Sequence, residues 1–363
     1  MIFFDNNATA PIIPEVVAAM MQELDGIPRN PSSITSYGRE GRARIANVRH
    51  MIAEKFGVLP DEVIFTSGAT ESNLMLIQGF SKLKPGHVVT TQIEHSCVLR
   101  PIEDLSCEKT FLSVDSSGAV TPAQVEEAIK PTTSFIFLTG ANNETGVKID
   151  LDAMCQIAQA HNIPLLIDGV VLLGRENLFP LHPKIAAISF SGHKIHAPKG
   201  IGIAIVRKKY RIAPLFKGGY QEHGMRAGTE NTPAILGLGK AIELIDESIF
   251  SHMCLLRDTF ERRLRELNVP IEINGSGPRV PNTASISFTD KDAELMMIKL
   301  DQAGLIASVG SACSAGTIYT SHVLRGMGFQ KNRIYGSIRF SFSRLNTLDE
   351  VEKGALLIKN ICS

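Results

Sequence analysis

The chain has 363 residues, 44% of them hydrophobic, and its 37 basic and 37 acidic side chains give a net charge of zero. This length allows a large core and two domains, and the balanced charge gives no support for nucleic-acid binding. No apolar run reaches the ~20 residues of a membrane helix, and the N-terminus lacks signal-peptide features. Six scattered cysteines without a C-x-x-C pair disfavour a metal site and suit a reducing compartment. We therefore expect a cytoplasmic protein that binds no nucleic acid, membrane or metal.

Hydrophobic periodicity predicts two helices near the start, at 14–24 and 38–56. Seven strand-like runs then alternate with helical patterns, which predicts an α/β fold with a mainly parallel seven-stranded sheet and helices on both faces. The predicted strands are 62–66, 87–91, 110–114, 134–139, 163–168, 185–190 and 201–207. The predicted helices between them are 72–82, 96–105, 122–130 and 151–161. Only ten residues join the last two strands, too few for a helical crossover, so this pair is predicted to be antiparallel.

The remainder of the chain has a different pattern. A long helical region at 233–267 is predicted to leave the sheet domain, and 268–363 then has the pattern of a smaller α+β domain. Its strands are predicted at 285–288 and 337–342, and its helices at 293–300, 321–327 and 348–361. We predict a large domain formed by 14–250 and a small domain formed by 1–13 with 251–363.

Lys194 lies in a loop of Gly, His, Pro and Lys residues that follows the strand at 185–190. A lysine at the end of a buried strand can lose solvation and become an amine nucleophile toward an aldehyde. The alternative is a solvent-facing lysine in a turn. The choice between the two depends on the other strand ends.

Four other strand ends carry suggestive side chains, since ligands of open α/β sheets bind outside the carboxyl ends of the strands. The helix start at Thr70 can hold a phosphate, or it is an ordinary capped helix. His95 can stack on a flat ring and move protons, or it is structural. Asn143 lies in a turn that is structural or binds a ligand. Asp168 closes an apolar strand, where it faces a cation such as a protonated pyridine nitrogen or serves as a loop or N-cap residue.

Together these residues match what pyridoxal 5′-phosphate requires of a protein, which is a Schiff-base lysine, an acid for the ring nitrogen and a phosphate site. Ser191 and His193 flank Lys194 and can add donors to the phosphate. The sequence therefore predicts one site at the carboxyl edge of the sheet.

Ordered motifs along nearly the whole chain resemble the NifS/IscS-type cysteine desulfurases, a family within the class V aminotransferase superfamily of fold-type I pyridoxal-phosphate enzymes. The motifs are DNNAT (5–9), NPSS (30–33), TSGATESN (66–73), EH (94–95), NNETG (142–146), SGHK (191–194), GMRAGTEN (224–231), PNT (281–283), GSAC (310–313) and SIRFS (337–341). The lysine motif is typical of the superfamily, and the cysteine motif is typical of the desulfurases.

The resemblance implies a role for each matching residue. Lys194 is expected to form the Schiff base and to move the Cα proton, and His95 to stack on the ring and take part in proton transfer. Asp168 is expected to pair with the pyridinium nitrogen. The phosphate is expected to contact Ala69, Thr70, Ser191, His193 and, from the other subunit of a homodimer, Thr229. Asn143 and Arg339 are expected to hold the substrate carboxylate, Arg339 through a bidentate pair.

Cys313 is the nucleophile that the resemblance implies. The small residues around it suit a mobile thiol, whereas the other five cysteines, including Cys97, are predicted to be buried or incidental. The implied reaction converts L-cysteine to L-alanine and leaves the sulfur on Cys313 as a persulfide. The long segment from Cys313 to Arg325 resembles the group that passes sulfur to scaffold proteins, so a sulfur-accepting scaffold or carrier in iron–sulfur cluster assembly is an expected partner.

Val171 departs from the family pattern, which usually has a glutamine that donates a hydrogen bond to the cofactor's ring oxygen. Valine has no donor, and the loss of one hydrogen bond corresponds to ~1 kcal/mol. Two alternatives therefore stay open beside a desulfurase. One is a selenocysteine lyase or another class V transaminase or lyase, and the other is a weakly active sulfur-relay or assembly platform.

Overall fold

The computed structural model describes residues 1–210, 212–310 and 321–362. Its strands are β1 (Ile2–Phe3), β2 (Val63–Thr66), β3 (His87–Thr91), β4 (Lys109–Leu112), β5 (Thr133–Thr139), β6 (Leu165–Asp168), β7 (Ile185–Ser191), β8 (Gly202–Val206), β9 (Ile271–Ile273), β10 (Thr283–Phe288), β11 (Leu305–Ile306) and β12 (Ser337–Ser341). Its helices are α1 (Pro14–Leu24), α2 (Ser36–Phe56), α3 (Ala69–Leu83), α4 (Ser96–Glu103), α5 (Pro122–Glu127), α6 (Leu151–Ala160), α7 (Thr232–Glu243), α8 (Glu247–Glu266), α9 (Ala293–Gln302), α10 (His322–Gly326), α11 (Lys331–Tyr335) and α12 (Leu348–Cys362).

A seven-stranded sheet in the order β2-β8-β7-β6-β5-β3-β4 forms the centre of the molecule. The strands from β7 to β4 pair in parallel, and β8 runs antiparallel to both β7 and β2. The predicted mixed sheet and the antiparallel last pair are therefore confirmed. Since β8 is antiparallel to both neighbours, β2 runs in the same direction as the five strands from β7 to β4, and these six strands end at one edge, where the loops that carry the predicted site residues begin.

Helices cover both faces of this sheet because its central strands are apolar on both sides. One core cluster combines side chains from α1, α2, α6 and α7 with one face, for example Val16, Ile45 and Ile235. The other cluster packs α3 and α4 on the opposite face, for example through Leu76 and Ile102. The large apolar area buried on both faces makes the sheet a stable platform for the loops at its edge.

A separate core lies around the sheet β12-β10-β9 and the parallel pair β1-β11. Phe4, Phe260 and Phe340 are fully buried in it, and the rings of Phe260 and Phe340 lie 4.9 Å apart. On the basis of the separate cores we propose a large domain of 14–250 and a small domain of 1–13 with 251–363. Phe4 belongs to the second core, which is why the first residues are grouped with the C-terminal part of the chain.

The helical region predicted at 233–267 consists of two helices, α7 and α8. Asp246 caps α8 by accepting a hydrogen bond from the Ser248 amide at 2.8 Å. A side chain that caps a new helix start favours a break over a continuous helix. Within the described residues, no helix is both long and apolar enough to cross a bilayer.

Candidate active site

A cavity of about 510 Å³ opens at the carboxyl edge of the large sheet. The predicted site residues that line it are Ala69, Thr70, His95, Asn143, Asp168, Ser191, His193, Lys194 and Arg339. They come from β6, β7, β12, the N-terminal ends of α3 and α4, and adjoining loops. Since these segments are far apart in the sequence, the cavity depends on the tertiary fold.

Lys194 lies in a single turn of 3₁₀ helix that follows β7. Its Nζ donates hydrogen bonds to the carbonyl oxygens of Asn7 and Ala8, at 2.5 and 2.8 Å. The guanidinium of Arg175, which is buried, donates to the carbonyl of Lys194 at 3.2 Å. These contacts hold the lysine amine at the cavity wall, next to the N-terminal segment.

Asp168 is the last residue of β6 and is buried. Its oxygens accept hydrogen bonds from the Val170 amide at 3.0 Å and from the Asn73 side-chain amide at 2.8 Å. Burial raises the pKa of Asp168, while these donors and the charges of His95 and Lys194 oppose that shift. The carboxylate is therefore held mainly by neutral donors, and a cationic ring nitrogen in the cavity would compensate its burial.

His95 is the N-cap residue of α4. Its Nδ1 accepts a hydrogen bond from the Cys97 amide at 3.2 Å and also lies 2.9 Å from the Cys97 sulfur. Burial lowers the pKa of His95, although the nearby Asp168 opposes this effect. A neutral imidazole at this wall suits both stacking and proton transfer.

The start of α3 forms the anion-binding end of the cavity. Its N-cap residue is Gly68, with φ of 152°, and no side chain caps the helix. The first amides of α3 thus keep their hydrogen-bonding capacity for an anion. Glu71 also lines this end and forms an ion pair with Arg226, with Nε and Oε1 2.9 Å apart. Burial opposes ionisation of Glu71, but hydrogen bonds from Arg226 and Ser67 outweigh it and lower the pKa.

Two further residues near Lys194 complete this part of the wall. Burial, followed by the charge of Lys194, lowers the pKa of His193 to about 4, so the ring is neutral near pH 7. Its Nδ1 lies 3.2 Å from the hydroxyl of Thr9. Lys199 is exposed and lines the rim of the cavity, where a cation favours a negatively charged group.

Arg339 is buried on β12 and faces the cavity from the small sheet. Its Nη2 forms an ion pair with Asp5 at 2.8 Å, and its Nη1 donates to the carbonyl of Asn143 at 3.0 Å. Its Nε is buried and has no hydrogen-bond partner in the described part of the chain. The guanidinium is therefore pre-oriented by Asp5 and Asn143 and retains capacity for a carboxylate.

Two predicted site residues are not among the described residues that line this cavity. Thr229 is exposed and is not among the described residues that line it. Cys313 lies outside the described residues, so its predicted role stays a prediction. Both residues belong to the motifs of the resemblance rather than to a strand end.

Two residues of the site were not predicted as site residues, Asn73 and Cys97. Cys97 lines the cavity, and Asn73 contacts both Asp168 and Cys97. Cys97 was expected to be buried or incidental, and its place at the cavity adds a candidate role to that expectation. The signal for it in the sequence was its position two residues after His95, at the start of a helix. Asn73 lies one turn into α3, and only the packing of α3 against β6 brings it to Asp168.

The residues present fit pyridoxal phosphate. The uncapped helix start at Gly68 suits its phosphate, buried Asp168 suits its ring nitrogen, and Lys194 Nζ lies at the same cavity. His95 offers a flat, neutral ring for stacking. No part of this fit depends on Thr229 or Cys313.

Comparisons with known proteins agree with this fit. The aminotransferase class-V family model matches residues 2–353. Cysteine desulfurase 2 of Trichormus variabilis is 37% identical over 361 residues, which cover 97% of this chain and 91% of that protein. Cysteine desulfurase IscS of Dictyoglomus turgidum is 37% identical over 361 residues, covering 96% of this chain and 91% of that protein.

The solved structure of a NifS-like protein has a TM-score of 0.91 and 31% identity, and the match covers 99% of this chain and 98% of that one. The agreement extends over both hydrophobic cores rather than one domain. The chain therefore belongs to the aminotransferase class-V family and, within it, to the NifS/IscS-type cysteine desulfurases, enzymes that depend on pyridoxal phosphate.

Proposed function

We propose that this protein converts L-cysteine to L-alanine and transfers the sulfur to Cys313 as a persulfide. One observation carries the proposal, which is that Lys194, Asp168 and His95 line the same cavity as the open start of α3. Pyridoxal phosphate, when bound, supplies an electron sink for negative charge at the substrate Cα. The cysteine motif at 310–313 makes sulfur transfer the favoured outcome over transamination.

Each of these residues has its own role in the proposed reaction. Lys194 anchors the cofactor through Nζ and then removes and returns the proton at the substrate Cα. Asp168 would hold the ring nitrogen, and the amides of Ala69 and Thr70, with Ser191 and His193, would hold the phosphate. His95 would stack on the ring and take part in proton transfer.

Substrate orientation is assigned to Arg339 and Asn143. The guanidinium of Arg339 is buried and is held by Asp5, which reduces the entropy lost when a carboxylate binds. The side chain of Asn143 lies at the same wall. A carboxylate bound there directs the substrate Cα toward Lys194.

The sulfur step takes place at Cys313. Its thiolate attacks the sulfur of the bound cysteine, and an S–S bond forms as the substrate Cβ–S bond breaks. The electron pair of the broken bond leaves with Cβ, which takes up a proton as alanine forms. A reductant or a sulfur-accepting scaffold or carrier protein then removes the added sulfur from Cys313, and iron–sulfur cluster assembly is the route we favour.

We assign the phosphate contact of Thr229 to a homodimer. Thr229 is exposed in its own subunit, and neighbouring Gly228 has φ of 106°, a conformation that favours glycine. Tyr220, in the same loop region, is 85% exposed, and a large exposed side chain near a functional loop is a feature of interfaces. The cytoplasm is the proposed location, since it keeps the Cys313 thiol reduced.

The test is an assay of the protein loaded with pyridoxal phosphate, with L-cysteine as substrate and a thiol reductant present. Alanine and sulfide are expected in equal amounts, and intact-protein mass spectrometry without reductant should find one added sulfur on Cys313. Cys313→Ala should abolish sulfide release and still bind the cofactor, whereas Cys254→Ala, on α8, should behave as wild type. Normal desulfuration by Cys313→Ala would contradict the mechanism.

The same assay separates the alternatives. A preference for selenocysteine over cysteine in alanine formation would assign a selenocysteine lyase. Dependence on a keto acid would assign a transaminase. A protein that takes up no pyridoxal phosphate and still binds a sulfur scaffold would be an assembly platform, a reading that Val171 at the cavity wall favours.

A further inference from the structure

A chain of buried hydrogen bonds connects β7 with α3 and reaches the cavity. The Ser189 hydroxyl donates to Asn73 Oδ1 at 2.5 Å. Asn73 Nδ2 then donates its two hydrogens to Asp168 Oδ2 at 2.8 Å and to the Cys97 sulfur at 3.3 Å. The Asp168 carboxylate can only accept, so it determines which end of the Asn73 amide carries the hydrogens.

The Cys97 sulfur accepts from Asn73, so its own hydrogen is available for a different acceptor. The nearest one is His95 Nδ1, 2.9 Å away. That nitrogen also accepts from the Cys97 backbone amide at 3.2 Å. A proton on Nδ1 would face the backbone N–H of Cys97, which can only donate, so the lone pair of Nδ1 must point toward Cys97.

We propose that the Cys97 thiol is a positioning group, a hydrogen-bond donor that holds His95 neutral with its proton on Nε2. The thiol and the backbone amide of Cys97 both donate to Nδ1 of His95. Together they fix the plane of the imidazole ring and its tautomer. This inference deepens the proposed function, on which it rests, because it defines the protonation state in which His95 meets the cofactor and substrate. Nε2 is then the nitrogen that carries the proton of the ring.

A rival role for Cys97 is a second sulfur acceptor, since it lines the cavity in which sulfur is removed from the substrate. The contacts of the thiol argue against it. Burial, together with the negative charge of Asp168, raises the pKa of Cys97 to about 12. A thiol that stays protonated is a poor nucleophile and a suitable donor.

The experiment measures the tautomer itself. Protein loaded with pyridoxal phosphate and labelled with ¹⁵N-histidine is studied by NMR, with the His95 signals assigned by comparison with His95→Gln. Wild type should show an unprotonated Nδ1 and a protonated Nε2. In Cys97→Ala, the ratio of the Nε2–H tautomer to the species protonated on Nδ1 should fall by about fivefold. This is the change in an equilibrium expected from the loss of one hydrogen bond. Cys97→Ser keeps a donor and should restore the wild-type ratio.

Cys155→Ala is the matched control, because it also removes a buried thiol but lies in the core under the sheet, and it should leave the His95 signals unchanged. A proton on Nδ1 in wild type, or identical ratios in Cys97→Ala and wild type, would overturn the proposal. Added sulfur on Cys97 after turnover with L-cysteine would do so too. NMR reports the tautomer whether or not the protein desulfurates cysteine. A failure of this proposal can therefore be distinguished from a failure of the proposed function.

Discussion

Arg49 on α2 and Glu222 form a buried bidentate ion pair, with Nη1–Oε2 and Nη2–Oε1 distances of 2.8 and 2.7 Å. Glu222 also accepts a hydrogen bond from the Phe65 amide at 2.8 Å. The pair therefore connects a helix, the edge strand β2 and the loop that leads to Thr229. A buried charge that loses its partner is strongly destabilising, whereas an exposed one is not.

Arg49→Leu is expected to lower the free energy of unfolding by about 3–5 kcal/mol, since it leaves the Glu222 carboxylate buried without a cation. Chemical denaturation measures this change. The double variant Arg49→Leu with Glu222→Leu should recover part of the loss, because no unpaired charge remains. Arg100→Leu removes an exposed pair with Glu103 and should change stability by less than about 1 kcal/mol. Equal losses for Arg49→Leu and Arg100→Leu would refute the assignment.

Glu94 is fully buried next to the cavity and should make stability depend on pH. Burial raises its pKa to about 8 from 4.5, although a hydrogen bond from Thr91 opposes the shift. Between pH 4.5 and pH 8 the folded protein holds a proton on Glu94 that the unfolded chain has released. The contribution of Glu94 to the free energy of unfolding is therefore complete below about pH 4.5 and is lost as the pH rises toward 8.

Glu94→Gln retains the size and the Thr91 contact but does not titrate. The difference in unfolding free energy, wild type minus Glu94→Gln, should fall by at least about 1 kcal/mol between pH 5 and pH 8. Denaturation of both proteins at each pH measures it, and other titrating groups cancel in the difference. A constant or rising difference would mean that Glu94 ionises normally in the folded state.

Gly202 lies where β8 begins, against the start of α3. A Cβ at this position would lie 2.6 Å from the Gly68 Cα and 2.6 Å from the Phe190 carbonyl oxygen. Gly202→Ala should therefore displace the phosphate-binding end of the cavity, lower stability by about 1–3 kcal/mol, and weaken retention of pyridoxal phosphate during dialysis. Gly304 has φ of 81°, and a Cβ there would meet no atom within 4 Å. Gly304→Ala should therefore add backbone strain without affecting cofactor binding. Equal cofactor loss in the two variants would contradict this explanation.

Val171 lines the cavity in the loop after β6 and lacks a hydrogen-bond donor. Val171→Gln should add one donor toward the ring of the cofactor and tighten its binding by about fivefold, the equivalent of ~1 kcal/mol. Absorbance titration with pyridoxal phosphate measures the dissociation constant. Val170→Gln places the same side chain at the neighbouring cavity residue and should give no such gain. Unchanged or weaker binding in Val171→Gln would mean that another group already supplies this contact.

Much of the fold was predictable because it depends on local patterns. Each of the seven large-sheet strands begins and ends within two residues of its predicted bounds, and His87–Thr91 matches its bounds in full. Hydrophobic periodicity did not locate the break between α7 and α8 within the predicted helical region, because the break depends on the local cap that Asp246 and Ser248 form. The two-residue strands β1 and β11 were not predicted as strands, since each is too short to show a hydrophobic period and forms by pairing with the other.

The sequence by itself determined that Lys194, Asp168, His95 and the start of α3 belong to one site, because parallel strands present their carboxyl ends at a single edge. The motif around Cys313 likewise identified the family. Only the tertiary structure decided that Asn73 connects Cys97 to Asp168 and that Asp5 orients Arg339. These contacts join side chains whose spacing in the sequence follows no period, so packing alone brings them together.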